Sequence, residues 1–124
     1  MRETVNAAII RNGRILLVRK EESWLLPGGK PNIGESDIGC LCREVQEELS
    51  GTVLKDVRYY GAFTGETHMR EMFRIRVYLA DIVGNLNRPS AEISEYQWVD
   101  DPGKYNLSDV TSKAIISLMN EGYL

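Results

Sequence analysis

The apolar residues of this chain change period across Pro27-Gly28-Gly29, which dictates a strand, a bend and then a helix. Trp24-Leu25-Leu26 reads as a short strand halted at the break, because proline removes a backbone donor and glycine admits backbone angles closed to other residues. Asn32 and Gly34 continue the loop. Beyond it, Ile38, Leu41, Cys42, Val45 and Leu49 recur at intervals of three or four, the buried stripe of a helix from Asp37 to Leu49. Ser36 or Asp37 can cap its first turn, and Ser50-Gly51 ends it. Strand and amphipathic helix in such close succession make the chain α/β.

The remaining segments supply more strands. Val5 to Ile10 and Arg14 to Arg19 are β-rich runs separated by Arg11-Asn12-Gly13, and Asn-Gly is a strong hairpin signal. Val57 to Phe63 and Met72 to Ala80 read as strands flanking a polar loop, Thr64 to Glu71, which holds the only histidine, His68. Alternation from Phe73 to Leu79 implies one buried face. After a second loop, Asn85 to Glu92, comes a strand from Glu95 to Val99, broken by Asp100-Asp101-Pro102-Gly103. Val110, Ala114, Ile115, Leu118 and Met119 then take helical spacing. With 124 residues and no internal repeat or linker, the chain is expected to be one domain over residues 1–124.

At about 100° per residue, Glu44, Glu47 and Glu48 fall in one arc of the first helix, away from the centre of its apolar stripe. Crowded carboxylates repel, and a divalent cation removes that penalty. Oxygen donors suit Mg²⁺ or Mn²⁺, and Mg²⁺ commonly shares carboxylates with substrate phosphates. Arg43 can fork onto the acids and fix their rotamers, an orienting role. Gly28 and Gly29 let the backbone approach a ligand, with a free carbonyl there as a further metal ligand. Arg19, ending a strand beside the loop, and Lys30, after the glycines, are placed to hold phosphate oxygens.

Gly29, Glu35, Arg43, Glu44, Glu47 and Glu48 also stand at the intervals glycine, five residues, glutamate, seven residues, Arg-Glu-aliphatic-any-Glu-Glu. In this the stretch from Gly29 to Leu49 resembles the signature of the Nudix hydrolases. Chance coincidence of such a pattern is on the order of once in ten million start positions, which leaves coincidence improbable. The resemblance implies an α/β/α sandwich, with a mixed β-sheet between two main helices. It implies Mg²⁺- or Mn²⁺-dependent hydrolysis of a nucleoside diphosphate linked to another group. It makes Glu44, Glu47 and Glu48 metal-binding, with Gly29 contributing its carbonyl, and matches Glu35 and Arg43 to the first glutamate and the arginine of the box. An acid before the last strand often assists in this family, here Glu92 first and Glu95 second.

Two departures stand out. The glycine that follows Glu-Glu-any in the family is displaced by one, to Gly51, and the signatures of the dinucleotide, coenzyme A and ADP-ribose subfamilies are absent. The expected reaction is therefore release of a nucleoside monophosphate and pyrophosphate from a nucleoside triphosphate or a related nucleotide. The alternatives are an ADP-ribose or nucleotide-sugar pyrophosphatase and a nucleotide-sensing module without turnover.

The net charge of −3, with no Lys/Arg run longer than two residues, provides no field for a nucleic-acid polymer. No apolar run approaches the roughly 18 residues that span a bilayer, so no membrane partner is expected and a cytoplasmic location is the default. A homodimer is compatible with the sequence. Cys40 and Cys42, two apart in a helix, cannot readily bridge each other and read as buried small hydrophobes. His68 reads as incidental, Trp24 as a core or pocket-wall residue, and Asp109, before the last helix, as a candidate reader of a base edge.

Overall fold

The computed structural model describes residues 1–124. Two long strands cross its centre: β1 (Arg2–Arg11) runs parallel to β6 (Met72–Gly84), and β5 (Thr52–Glu66) lies antiparallel along β6. Between them in sequence come β2 (Arg14–Lys20), β3 (Ser23–Leu25), β4 (Gly28–Gly29) and helix α1 (Asp37–Glu48). After β6 come β7 (Glu95–Val99), a turn of 3₁₀ helix at Pro102–Lys104, and helix α2 (Asp109–Asn120). The strand order is β3-β2-β1-β6-β5, with β4 added to β1 and β7 to β2. No helix is long and apolar enough to cross a membrane.

The mixed sheet lies between the two helices, as an α/β/α sandwich requires. Alternation along the strands, with its period of two, creates two cores. Val5, Ala7 and Ile9 of β1, with Leu16 and Val18 of β2, pack with Cys40, Leu41 and Val45 of α1 and with Leu49, which caps its end. Ala8, Ile15 and Leu17 turn to the other face, where Ile75, Val77 and Leu79 meet Val110, Ala114, Ile115 and Leu118 of α2. At roughly 25 cal/mol per Å² of apolar surface removed from water, these faces clamp both helices to the sheet.

The Asn12-Gly13 turn takes positive φ at both residues, as a tight hairpin requires, although β1 and β2 pair only next to it. Beyond those pairs β1 turns to β4, Val5 opposite Gly29 and Asn6 opposite Gly28. That pairing is unforeseen in the sequence, which marks Pro27-Gly28-Gly29 only as a break. Gly28 has φ +147, and a Cβ there would overlap the Val5 carbonyl, so only glycine brings the bend this close to β1. Strands β5 and β6 are longer than the alternation suggests, because two register shifts let β5 bend while its ladder continues.

The stripe of α1 is also shifted. Ile38 and Cys42, one turn apart, are exposed, whereas Cys40 and Glu48 are buried. The glycine bend covers the Cys40 flank of the helix, where the Cys40 thiol donates to the Gly29 carbonyl at 3.4 Å, and leaves the opposite flank open. Of the two cysteines, then, only Cys40 is a buried hydrophobe, and neither is bridged. Met119 of α2 is likewise half exposed.

Candidate functional site

Helix α1 is pinned at one end to β6 and at the other to the segment just after that strand. Ser36 caps it by accepting from the Gly39 N–H. Asp37, in the first turn, takes a two-pronged ion pair from Arg76 of β6 at 2.9 Å and a hydrogen bond from the Tyr78 hydroxyl at 2.8 Å. The Arg76 guanidinium holds the Asp37 carboxyl below the usual carboxylate range. At the other end Gly51, with φ +91, lies against the Asn85 carbonyl where a Cβ would overlap. The displaced glycine of the box is thus where the left-handed exit needs it.

Arg43 is the hub of the acids. Its Nε and Nη2 donate to the two oxygens of Glu35 at 2.9 Å, and its Nη1 to Glu44 at 2.8 Å and Glu47 at 3.4 Å. Nη2 also reaches the Lys30 carbonyl at 3.1 Å, tying helix to loop. Glu35 accepts a further bond from the Asn32 N–H. Arg43 first and Asn32 second bring its carboxyl down to about 2. Rotamer locking by a planar fork is what the sequence expects of Arg43.

The three helix acids occupy different surroundings. Glu44 lies against Gly29, where a Cβ would overlap its carboxylate. Glu47 is half exposed and touches only the Arg43 fork through its side chain. Glu48 is 2% exposed, which corrects its expected place on the outer arc. It accepts from the Gly28 N–H at 3.1 Å and pairs with Lys20 Nζ at 2.7 Å. Burial pushes its carboxyl above the usual range, while the Lys20 charge and the Gly28 N–H pull the other way. No group of three or more His, Cys, Asp or Glu side chains converges into a ready-made metal cage. What the fold brings together is Glu44 and Glu48 on the two glycines, with Glu47 alongside.

The other candidates are more scattered. Lys30 is exposed beside Arg43. Arg19 is engaged with Glu95 at 3.0 Å and with the Glu21 carbonyl, so Glu95 serves as its partner. Glu92 is exposed on the loop after β6, which is tethered to the end of α1 by a Ser90 hydroxyl bond to the Glu47 carbonyl. His68 is exposed in the turn between β5 and β6. Asp109 accepts from the Glu66 N–H and lies near Lys113, closing the junction of β5 and α2. Trp24 meets Tyr105 edge to face at 5.2 Å in the α2-side core.

Lys20 is the residue that sequence reasoning passes over. It neighbours Arg19 in β2 but has the opposite side-chain direction, toward the helix. The available signal was the helical angle of Glu48, one turn from Val45 and two from Leu41, since an acid so close to an apolar stripe needs a cation.

Comparison with known proteins places residues 1–101 under the model of the NUDIX domain. The structure is similar to a MutT protein from Methanosarcina mazei Go1, at 28% identity and TM-score 0.78, covering 97% of this chain and 94% of that one. It is similar to a MutT NUDIX hydrolase from Burkholderia pseudomallei, at 26% identity and TM-score 0.76, covering 93% and 95%. A UDP-X diphosphatase shares the fold at 23% identity and TM-score 0.79, covering 99% of this chain but 64% of that one. No curated protein matches the chain.

Proposed function

Because the chain belongs to the Nudix hydrolase family, we propose that it cleaves the pyrophosphate linkage of a nucleoside triphosphate, with Mg²⁺ or Mn²⁺, to a nucleoside monophosphate and pyrophosphate. The observation that carries this reading is the closure of Glu44 and Glu48 on Gly29 and Gly28, with Arg43 fixing the acids from the side.

The residues present suit a hard divalent cation. The donors facing the bend are carboxylate and carbonyl oxygens, and a cation already stands among them, the Lys20 ammonium between Glu48 and the Gly28 carbonyl. Mg²⁺ usually keeps several waters and takes one or two carboxylates together with phosphate oxygens, so a closed cage is not needed. In this reading Glu44, Glu47 and Glu48 hold the cation. The carbonyl beside them is that of Gly28 rather than Gly29, whose oxygen is turned to Cys40. When bound, the cation neutralises and polarises the diphosphate.

The chain's own groups do the positioning. Arg43 keeps Glu44 and Glu47 from swinging apart, and Glu35 holds Arg43 in turn. Lys30, exposed at the rim, is free to meet phosphate oxygens, whereas Arg19 must first exchange Glu95 for phosphate. In this reading Glu92, exposed on a loop that Ser90 ties to the end of α1, serves as the proton acceptor.

The rival is hydrolysis of ADP-ribose or a nucleotide sugar, favoured by the likeness to a UDP-X diphosphatase. Incubating a panel of nucleoside triphosphates, ADP-ribose and nucleotide sugars with Mg²⁺ and weighing the products separates the two. Nucleoside monophosphate with pyrophosphate supports the proposal, and monophosphate with a sugar phosphate supports the rival. Nucleotide bound tightly but left uncut across the panel refutes both.

A further inference from the structure

Both carboxylate oxygens of Glu48 are engaged. Oε1 accepts from the Gly28 N–H at 3.1 Å and Oε2 from Lys20 Nζ at 2.7 Å, and the same ammonium reaches the Gly28 carbonyl at 3.1 Å. The Lys20 side chain, 22% exposed, thus spans the gap between the buried acid of α1 and the glycine bend.

Those two oxygens, the Glu48 carboxylate and the Gly28 carbonyl, are the ones that a hard cation entering at the bend would take. Two cations sharing one oxygen pair repel, and here one of them must yield. The Gly28 N–H is fixed, because β4 is paired to β1 and Gly28 is packed against Val5 and Asn6. The ammonium is not fixed, since it rides on a flexible four-carbon stem. Burial explains why the place is filled at all, for an unpaired carboxylate at 2% exposure is costly.

We infer that Lys20 is an internal counterion that holds the metal position of the metal-free protein and is displaced from Glu48 and the Gly28 carbonyl when a divalent cation binds. This rests on the metal-site reading given above. Lys20 then sets the threshold for metal binding, because each cation bound must break its ion pair.

Two measurements without nucleotide test it. The first is calorimetric titration of the parent, Lys20→Met and Lys20→Arg proteins with Mn²⁺. Lys20→Met is expected to bind Mn²⁺ at least about tenfold more tightly, having lost the competitor, with Lys20→Arg close to the parent. The second uses the parent alone and does not depend on a variant folding: acetylation by an amine-reactive ester, read by mass spectrometry with and without Mg²⁺. Lys20 is expected to react more slowly than the exposed Lys104 in metal-free protein, and several-fold faster at saturating Mg²⁺. Unchanged or weakened Mn²⁺ affinity in Lys20→Met, or Lys20 labelling indifferent to Mg²⁺, overturns the role of Lys20 and leaves the metal site standing. Failure of the parent to bind Mn²⁺ at all overturns the metal-site reading and this inference together.

Discussion

Replacing Gly29 by alanine inserts one methyl group between the glycine bend and the acid that lies on it. Gly29 does not take a left-handed backbone, so alanine is unstrained there, and the nearest atoms its Cβ would meet all belong to the Glu44 carboxyl. Glu44 Cδ stands 2.5 Å from that Cβ position, and ordinary contact begins at 3.4 Å. The carboxyl must therefore retreat by about 1 Å to regain normal van der Waals separation. Moving the end of a flexible side chain off its rotamer costs about 0.5–1.5 kcal/mol. Restricting the unfolded chain returns about 0.4–1 kcal/mol, so stability changes little. Catalysis is less tolerant, since a 1 Å misplacement can cost about 100-fold. Gly29→Ala is thus expected to lower kcat/KM about 100-fold while the melting temperature shifts by no more than a few degrees. Gly28→Ala is the contrast, because its Cβ would strike the backbone of Val5 and Asn6 at positive φ. It should cost more than about 3 kcal/mol and lose fold and activity together. Steady-state kinetics beside thermal melts of both variants provide the assay. A Gly29→Ala enzyme within about threefold of the parental kcat/KM refutes the idea that Glu44 works from its seat on Gly29.

Glu47→Gln should leave the metal-free protein within about 0.5 kcal/mol of the parent, because its only side-chain partner is a long contact at a half-exposed site. Turnover of the nucleotide should nevertheless fall by several orders of magnitude, and full activity refutes its place among the metal-holding acids. Glu35 gives a pH dependence of definite sign. Its folded value, about 2, lies below its ordinary 4.5. Its stabilisation is therefore complete above about pH 4.5 and is lost as pH falls toward 2. Glu48, raised above 4.5, acts oppositely, its contribution falling as pH rises through the folded value. Denaturant melts across pH 2–5 should show a shallower acid limb in Glu35→Gln than in the parent, and an identical limb refutes the assignment. Asp37→Asn replaces the charged partner of Arg76, so a loss of about 1–2 kcal/mol is expected in equilibrium unfolding, with no loss counting against the pair as the anchor of α1.

The hairpin, both helices and the box acids were legible because each rests on local chemistry: Asn-Gly at the turn, apolar residues at helical spacing, charges at fixed intervals. Contacts distant in sequence were not. Nothing local to Gly28-Gly29 announces a two-residue strand on β1, because that pairing is set by packing against Val5 and Asn6. The helical wheel puts Glu44, Glu47 and Glu48 within one arc away from the centre of the apolar stripe, but the arc alone does not tell which of them is buried. Glu48, on the edge of the arc nearest Leu41 and Val45, is drawn inside because Lys20 and the Gly28 N–H come to meet it. Arg19 was legible as a cation near the loop, yet its pairing with Glu95 depends on β7 lying antiparallel to β2.

The charge balance of the site accounts for how the acids are held together and for why a divalent cation suits the proposed reading. Four carboxylates, Glu35, Glu44, Glu47 and Glu48, share two cations, Arg43 and Lys20. The excess is two negative charges, the amount that one divalent cation carries. Arg43 is spread over three of the acids and the Lys30 carbonyl, a distribution only a planar fork permits, so it orders the carboxylates without fully neutralising any of them. Lys20 is concentrated on the one acid that burial makes expensive. Unit charges a few ångströms apart near a protein surface interact by about 4 kcal/mol, and the excess is eased where Glu47, about half exposed, stands in water. The same exposure leaves Glu47 open to an incoming cation, while in the inference drawn above the buried Glu48 joins only when its lysine moves aside.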